Sequence, residues 1–340
     1  MKSIYRVVVS ISVLALAMSS LLTFANAAEA KTVTNGDWEI TWGGGAASVR
    51  NLKTGEKKVL FESLVAKSEE DGQSTYEVLS VVGTIISYSN SWYFEGGAHP
   101  SYGTTWSSVD LESPSTNLVA LFGEQPVYER LMREPLVQSA IAGVLAERDA
   151  QPMPTNWKEL VERADGGCFA SMGDSLLTDY HFAYRLGGTL VAVQIGLTHG
   201  CEVNRGSFTK LGMLYFPIPD QSKADFDRAV KDGVLEDRPF QKTSFNCAKA
   251  GTAIEFAICT DAAVAKLDVA MAKQYKAARQ AAAGEAKQKI KKDQRAWIET
   301  RDRECAAPTN EMLYDGNGEF FATIEACLVK YYENRLAALK

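Results

Sequence analysis

Hydrophobic residues recur at two different spacings along the chain, and the change from one to the other divides it. In "GDWEITWGGGAASVRNLKTGEKKVLFES", Trp38, Ile40 and Trp42 alternate with charged or polar neighbours. The stretch "NLKTGEKK" then separates Ser48-Val49 from Val59-Leu60-Phe61, which predicts a hairpin over residues 35–65. Residues 76–82 and 84–94 read as strands on either side of Gly83, and 104–111 as another. Helical spacing takes over at 126–147 and 155–164, where Leu136, Ile141, Val144 and Leu145 share a face. Alternation returns at 168–170, 180–186, 190–197 and 213–218. Strands at hairpin spacing with a few helices predict an α+β domain with a largely antiparallel sheet over residues 31–220.

Residues 221–243 are polar with few apolar anchors, so they read as a linker holding a short helix near 224–230. From Cys247 onward the spacing is helical throughout. Thr252 and Glu255 make a T-x-x-E capping box, and Asp261 can cap a second helix carrying Val264, Leu267, Met271, Tyr275 and Ala278. Gly284 is expected to end that helix. A third places Ile290, Trp297 and Ile298 on one side and Lys287, Lys289, Lys291 and Lys292 mostly on the other. A fourth carries Ile324, Cys327, Leu328, Tyr331 and Leu339. The prediction for 244–340 is a small all-α bundle, thin in its core and stapled by disulfides.

Composition supports a soluble globular chain, with 46% hydrophobic and 23% charged residues. Residues 1–27 stand apart. Lys2 and Arg6 precede an apolar run from Val7 to Phe24, and Ala25-Asn26-Ala27 offers the small residues of a cleavage site. The pattern is that of a secretory signal peptide, which implies a periplasmic or secreted protein without a membrane anchor once the leader is removed. In that oxidising setting the six cysteines are expected to pair, Cys168 with Cys201, and Cys247, Cys259, Cys305 and Cys327 among themselves in any of three ways.

Charge is uneven. Residues 28–240 carry a net of −11 and residues 241–340 a net of +3. An acidic body argues against nucleic acid and anionic membrane as partners and permits a basic protein.

Catalytic signals are thin. "GDSL" at 173–176 would need oxyanion donors and a distant Asp-x-x-His, whereas Asp179 and His181 follow within a few residues as D-x-H. Cys168, His181, His199 and Cys201 lack the short pair spacings of a zinc site. No enzyme activity, metal or cofactor is expected. In "WYFEGGAHPSYGTTW" (92–106), His99 lacks a nucleophile or metal partner, and Gly96, Gly97 and Pro100 shape a loop around it. Trp92, Tyr93, His99, Tyr102 and Trp106 are the candidate partner-binding residues, although alternation sends half of such a stretch to the core.

Two resemblances sharpen this picture. "FNCAKAGTAIEFAIC", "LD" at 267–268, "QRAWIETRDREC" and "CLVKYYENRL" together resemble the LprI-type lysozyme-inhibitor domain over 245–339. Asn246 stands where that pattern has aspartate, and the segment from Cys305 to Cys327 is longer than usual. "YFEGGAHPSYGTTWSSVDLESPSTNLVALF" and "LGMLYFPIPD" resemble the extracellular, lysozyme-sensing domain of RsiV-type proteins over 75–220. The transmembrane and cytoplasmic parts of that type are not seen here, so signalling does not carry over. Both resemblances imply an exported protein that binds lysozyme and inhibits it or shields the envelope. The alternative is an envelope module that binds peptidoglycan or another protein without touching lysozyme.

Overall fold

The computed structural model describes residues 30–64, 72–94, 101–147, 152–164, 178–197, 210–306 and 320–339. Three sheets and a set of helices follow in chain order. Strands β1 (Lys31–Asn35), β2 (Trp38–Gly43), β3 (Ala46–Asn51) and β4 (Lys57–Glu62) form an antiparallel meander. The expected hairpin is its second half, preceded by β1, which turns into β2 through Gly36 at φ 58°. Strands β5 (Gln73–Val82), β6 (Ile85–Phe94) and β7 (Ser101–Asp110) make a second meander, with Gly83 at its first turn.

Alternation decides how these two sheets meet. One face of the second sheet is aromatic and aliphatic. Phe61 of β4 stacks on Tyr76 at 4.8 Å and packs at a tilt against Tyr88 at 4.7 Å, beside the buried Ile40, Val49, Val81 and Ile86. The opposite face carries the buried Ser80, Ser87 and Ser89. Those serines meet the edge of a third sheet, in which β8 (Tyr180–Leu186), β9 (Leu190–Leu197) and β10 (Lys210–Pro217) run antiparallel. Ser87 and Ser108 are register partners whose hydroxyls lie 2.8 Å apart. Ser108 donates to the Tyr180 carbonyl at 2.8 Å, and the Phe182 N–H donates to Ser87 Oγ at 3.4 Å. Hydroxyls thus take the place of a strand neighbour for backbone groups that would otherwise be buried unpaired.

Helices α1 (Leu118–Phe122), α2 (Glu124–Leu131), α3 (Pro135–Glu147) and α4 (Trp157–Ala164) supply the apolar core beside the third sheet. Segment 221–243, read from the sequence as a linker with a short helix, contains helix α5 (Lys223–Lys231) and strand β11 (Glu236–Arg238). Helix α5 buries Phe226 and Ala229, and β11 pairs in parallel with β8. Arg185 on β8 binds the Asp227 and Asp237 carboxylates, tying both elements to the sheet.

The remaining helices are α6 (Ala253–Thr260), α7 (Ala262–Ala281), α8 (Gly284–Ala306) and α9 (Phe320–Ala338). Gly284, expected to end α7, instead stands beyond it with φ 54° as the first residue of α8. Helix α6 is buried at Ile254, Phe256, Ala257, Ile258 and Cys259. One contiguous apolar cluster runs from Val82, Leu118 and Phe182 through Ile254 and Met271 to Leu328 and Tyr332. The core that looked thin for an isolated bundle is therefore completed by the front sheet. No helix among the described residues is long and apolar enough to cross a membrane.

Candidate functional site

The helical region is held by local caps first. Thr252 Oγ1 accepts the Glu255 N–H at 3.2 Å, and Glu255 Oε2 accepts the Thr252 N–H at 3.2 Å. Asp261 Oδ1 accepts the Val264 N–H at 2.7 Å. Asn246 Oδ1 accepts the Ala248 N–H at 3.0 Å, capping the single turn that holds Cys247. An amide oxygen performs this acceptor role as a carboxylate does, so the departure at 246 leaves the cap intact. Of the three possible pairings of the quartet, the structure has Cys247–Cys259 and Cys305–Cys327, with Cα atoms 5.8 and 5.5 Å apart. Cys168 and Cys201 lie outside the described residues.

Inside the helices sits a polar network. Asp268 on α7 accepts the Ser244 N–H at 2.6 Å and the Tyr332 hydroxyl at 3.0 Å. Arg301 on α8 donates to the Tyr332 oxygen at 2.8 Å and to Asp302 at 2.8 Å. Arg335 on α9 forks onto Gln294 Oε1 at 3.1 and 3.0 Å. Trp297 packs edge-on against Tyr332 with ring centroids 5.5 Å apart, and the Arg301 guanidinium lies 5.1 Å from the Trp297 centroid. Burial pushes the Tyr332 hydroxyl far above its ordinary pKa, so it stays a donor to Asp268 at any physiological pH. The fragments "LD", "QRAWIETRDREC" and "CLVKYYENRL" thus meet at one place, and what they build is a frame. The spacing groups Ile290, Trp297 and Ile298 on one side of α8, opposite most of its lysines. Ile298 is in fact exposed, and the buried row is Gln294, Arg301 and Cys305. The 294–301–305 spacing was legible as one helix face, but its polar members hid it from a hydrophobic count.

Outside this frame, α8 and α9 flank a groove of about 750 Å³, lined by Trp297, Glu304, Lys330, Tyr331, Asn334 and Arg335. Tyr331 donates its hydroxyl to Glu304 across it. The lysines of α8 (Lys287, Lys289, Lys291 and Lys292) are exposed beside Gln294's buried row.

The front-domain candidates separate by strand face. Trp92 and Tyr93 are half-buried near the end of β6, and Tyr102 on β7 is the register partner of Tyr93. Trp106 shares a face with Ser89 and turns toward β8, where it stacks on His181 with centroids 6.4 Å apart. His99 lies outside the described residues, as do "GDSL", His199 and the two cysteines once considered with His181. His181 itself bonds Gln194 Oε1 through Nε2 at 2.8 Å, and its Nδ1 is buried without a partner. Burial lowers its pKa, which keeps the ring neutral.

Two carboxyls are perturbed upward. Burial raises Asp179 to about 6, partly offset by a hydrogen bond from Thr178. Glu134, at the N-terminus of α3, is raised to about 8 by burial, although the Val137 N–H donates to its Oε2 at 2.7 Å. Its Oε1 has no hydrogen-bond partner.

The fold is one of antiparallel sheets followed by a helical region with two disulfides. Residues 246–339 match the family model described as lysozyme inhibitor LprI. That match covers the helical region, and the RsiV-type likeness of the front part is no part of it. No curated protein and no solved structure matches the chain.

Proposed function

We propose that this protein is exported, binds lysozyme and inhibits it, and so protects the cell envelope. The observation that carries the reading is the match of residues 246–339 to the lysozyme-inhibitor family, in a region whose motif residues form one frame. The two disulfides suit an oxidising compartment, and the leader-like first 27 residues suit export. The net of −11 over residues 28–240 suits a cationic enzyme, whose approach it would speed in a salt-dependent way. Trp92, Tyr93, His99 and Tyr102 are offered as contact residues of the front domain. Trp106 is less free for that role because it packs on His181.

The test is the rate at which lysozyme clears suspended cell walls, with and without the purified protein, beside a direct binding measurement at low salt. Slower clearing with saturable binding is the expected result. Unchanged clearing and no binding would sink the reading. Retention on purified wall fragments, with none on immobilised lysozyme, would instead favour an envelope module.

A further inference from the structure

A concavity lies where the β5–β6 turn meets β7, β8 and α5. A slot of about 180 Å³ opens there. One water needs only about 10–15 Å³ of such space, so the slot can take a chain of several heavy atoms. Its floor is apolar, made by Ile85, Phe122, Phe182 and Phe226. The rings are already fixed, Phe122 stacked on Phe216 at 4.2 Å and Phe182 edge-on to Phe226 at 5.3 Å. Its rim carries two carboxylates. Asp110 is held by the Thr84 hydroxyl at 2.7 Å, the Thr116 hydroxyl at 3.1 Å and the Glu112 N–H at 3.0 Å. Asp225 is pressed to the turn. A Cβ on Gly83, which has φ 58°, would come within 3.1 Å of its carboxyl carbon. Neither carboxylate has an ion-pair partner among the described residues, although other acids of the same region do, such as Asp227 and Asp237 with Arg185.

An apolar floor under two uncompensated negative charges is complementary to one kind of group, a cation on a flexible hydrocarbon stem. The geometry points to this slot as the seat of a lysine side chain presented by a basic protein partner, its methylenes on the phenylalanines and its ammonium between Asp110 and Asp225. Arginine fits less well, because its planar fork asks for a bidentate carboxylate and Asp110 already accepts three hydrogen bonds. Such a seat would make the front domain an anchor for the partner beside whatever the helical region contributes. The identity of the partner rests on the lysozyme reading above, whereas the slot's preference for lysine does not.

The experiment has two arms. In the first, Nα-acetyl-lysine methylamide and its uncharged norleucine counterpart are titrated into the whole protein and followed by backbone amide shifts. The lysine probe is expected to shift Thr84, Ser222 and Phe226 saturably and to bind at least tenfold more tightly than the norleucine probe. Asp225→Asn should weaken it at least fivefold with an unchanged melting temperature. Ser222→Trp, which fills the mouth and keeps both charges, should abolish it. Equal affinity for the two probes, shifts elsewhere, or full binding by a folded D225N or S222W protein would overturn the proposal. In the second arm, lysozyme affinity should fall several-fold in D225N. Equal affinity of wild type and D225N would remove lysozyme as the source of the lysine. Loss of lysozyme binding by the wild type itself would defeat the functional reading and leave the first arm to judge the slot.

Discussion

The ring of Tyr215 on β10 stacks on that of Phe256 on α6, with centroids 3.8 Å apart and planes 16° from parallel. Tyr215 also shares a hydrogen bond of 2.8 Å with Tyr184, and both rings lie in a cluster with Cys247 and Cys259. The most buried helix of the lysozyme-inhibitor-like region is therefore seated on the front sheet. Phe256→Ala should cost about 3–5 kcal/mol. It should move the unfolding of sheet and helices together, so that tyrosine fluorescence and far-UV dichroism report one coincident urea transition. Two separated transitions in the wild type would show that the seam is energetically weak.

Tyr332 both accepts from Arg301 and donates to Asp268. Tyr332→Phe keeps the ring against Trp297 and leaves a buried donor and a buried acceptor each without its partner. The expected cost is about 1–3 kcal/mol, read as a lower urea midpoint at unchanged slope. If the proposed function holds, any lysozyme inhibition should fall only as far as the folded fraction falls, because Tyr332 is fully buried.

The perturbed groups give stability a pH dependence whose sign can be worked out. Glu134 has a folded pKa of about 8 against an ordinary 4.5, so between those values the native state holds the proton and the unfolded state does not. Its contribution is complete below about 4.5 and is lost as pH rises toward about 8. His181 acts in the opposite direction, since its lowered folded pKa makes stability fall as pH drops below the ordinary 6.5. Glu134→Gln mimics the protonated carboxyl. Its melting temperature should exceed that of the wild type at pH 9, and the gap should close toward pH 5. A pH-independent difference would place the origin of the effect elsewhere.

Both described disulfides should matter to similar degrees. Removing either by a paired Cys→Ala change should cost about 2–5 kcal/mol. The longer separation of Cys305–Cys327, 22 residues against 12, adds only about 0.5 kcal/mol in the chain-entropy picture. Thermal melts with and without reductant check the pair together, and the two double variants separate them. A larger loss for Cys247–Cys259 would trace to its seat in the core beside Phe256.

What could be read from the chain alone was what neighbouring residues settle between themselves. The Thr252–Glu255 box and the Asp261 cap are bonds spanning three residues, so composition and spacing are enough to place them. Alternation placed β2, β5, β6 and β7 for the same reason, since strand faces repeat every two residues. Asp110 and Asp225 are 115 positions apart in sequence, and nothing local marks them as the two sides of one slot. The same holds for Asp268, Arg301 and Tyr332, which come from three helices and look like surface residues until the helices pack. The sequence by itself determined most of the elements, though not β1, α1 or β11, together with the Thr252 and Asp261 caps and the family likeness of the last hundred or so residues. Only the tertiary structure decided which cysteines pair, which polar side chains are buried, and that sheet and helices share a core. Those outcomes depend on distances between remote segments, which side-chain burial sets and periodicity does not encode.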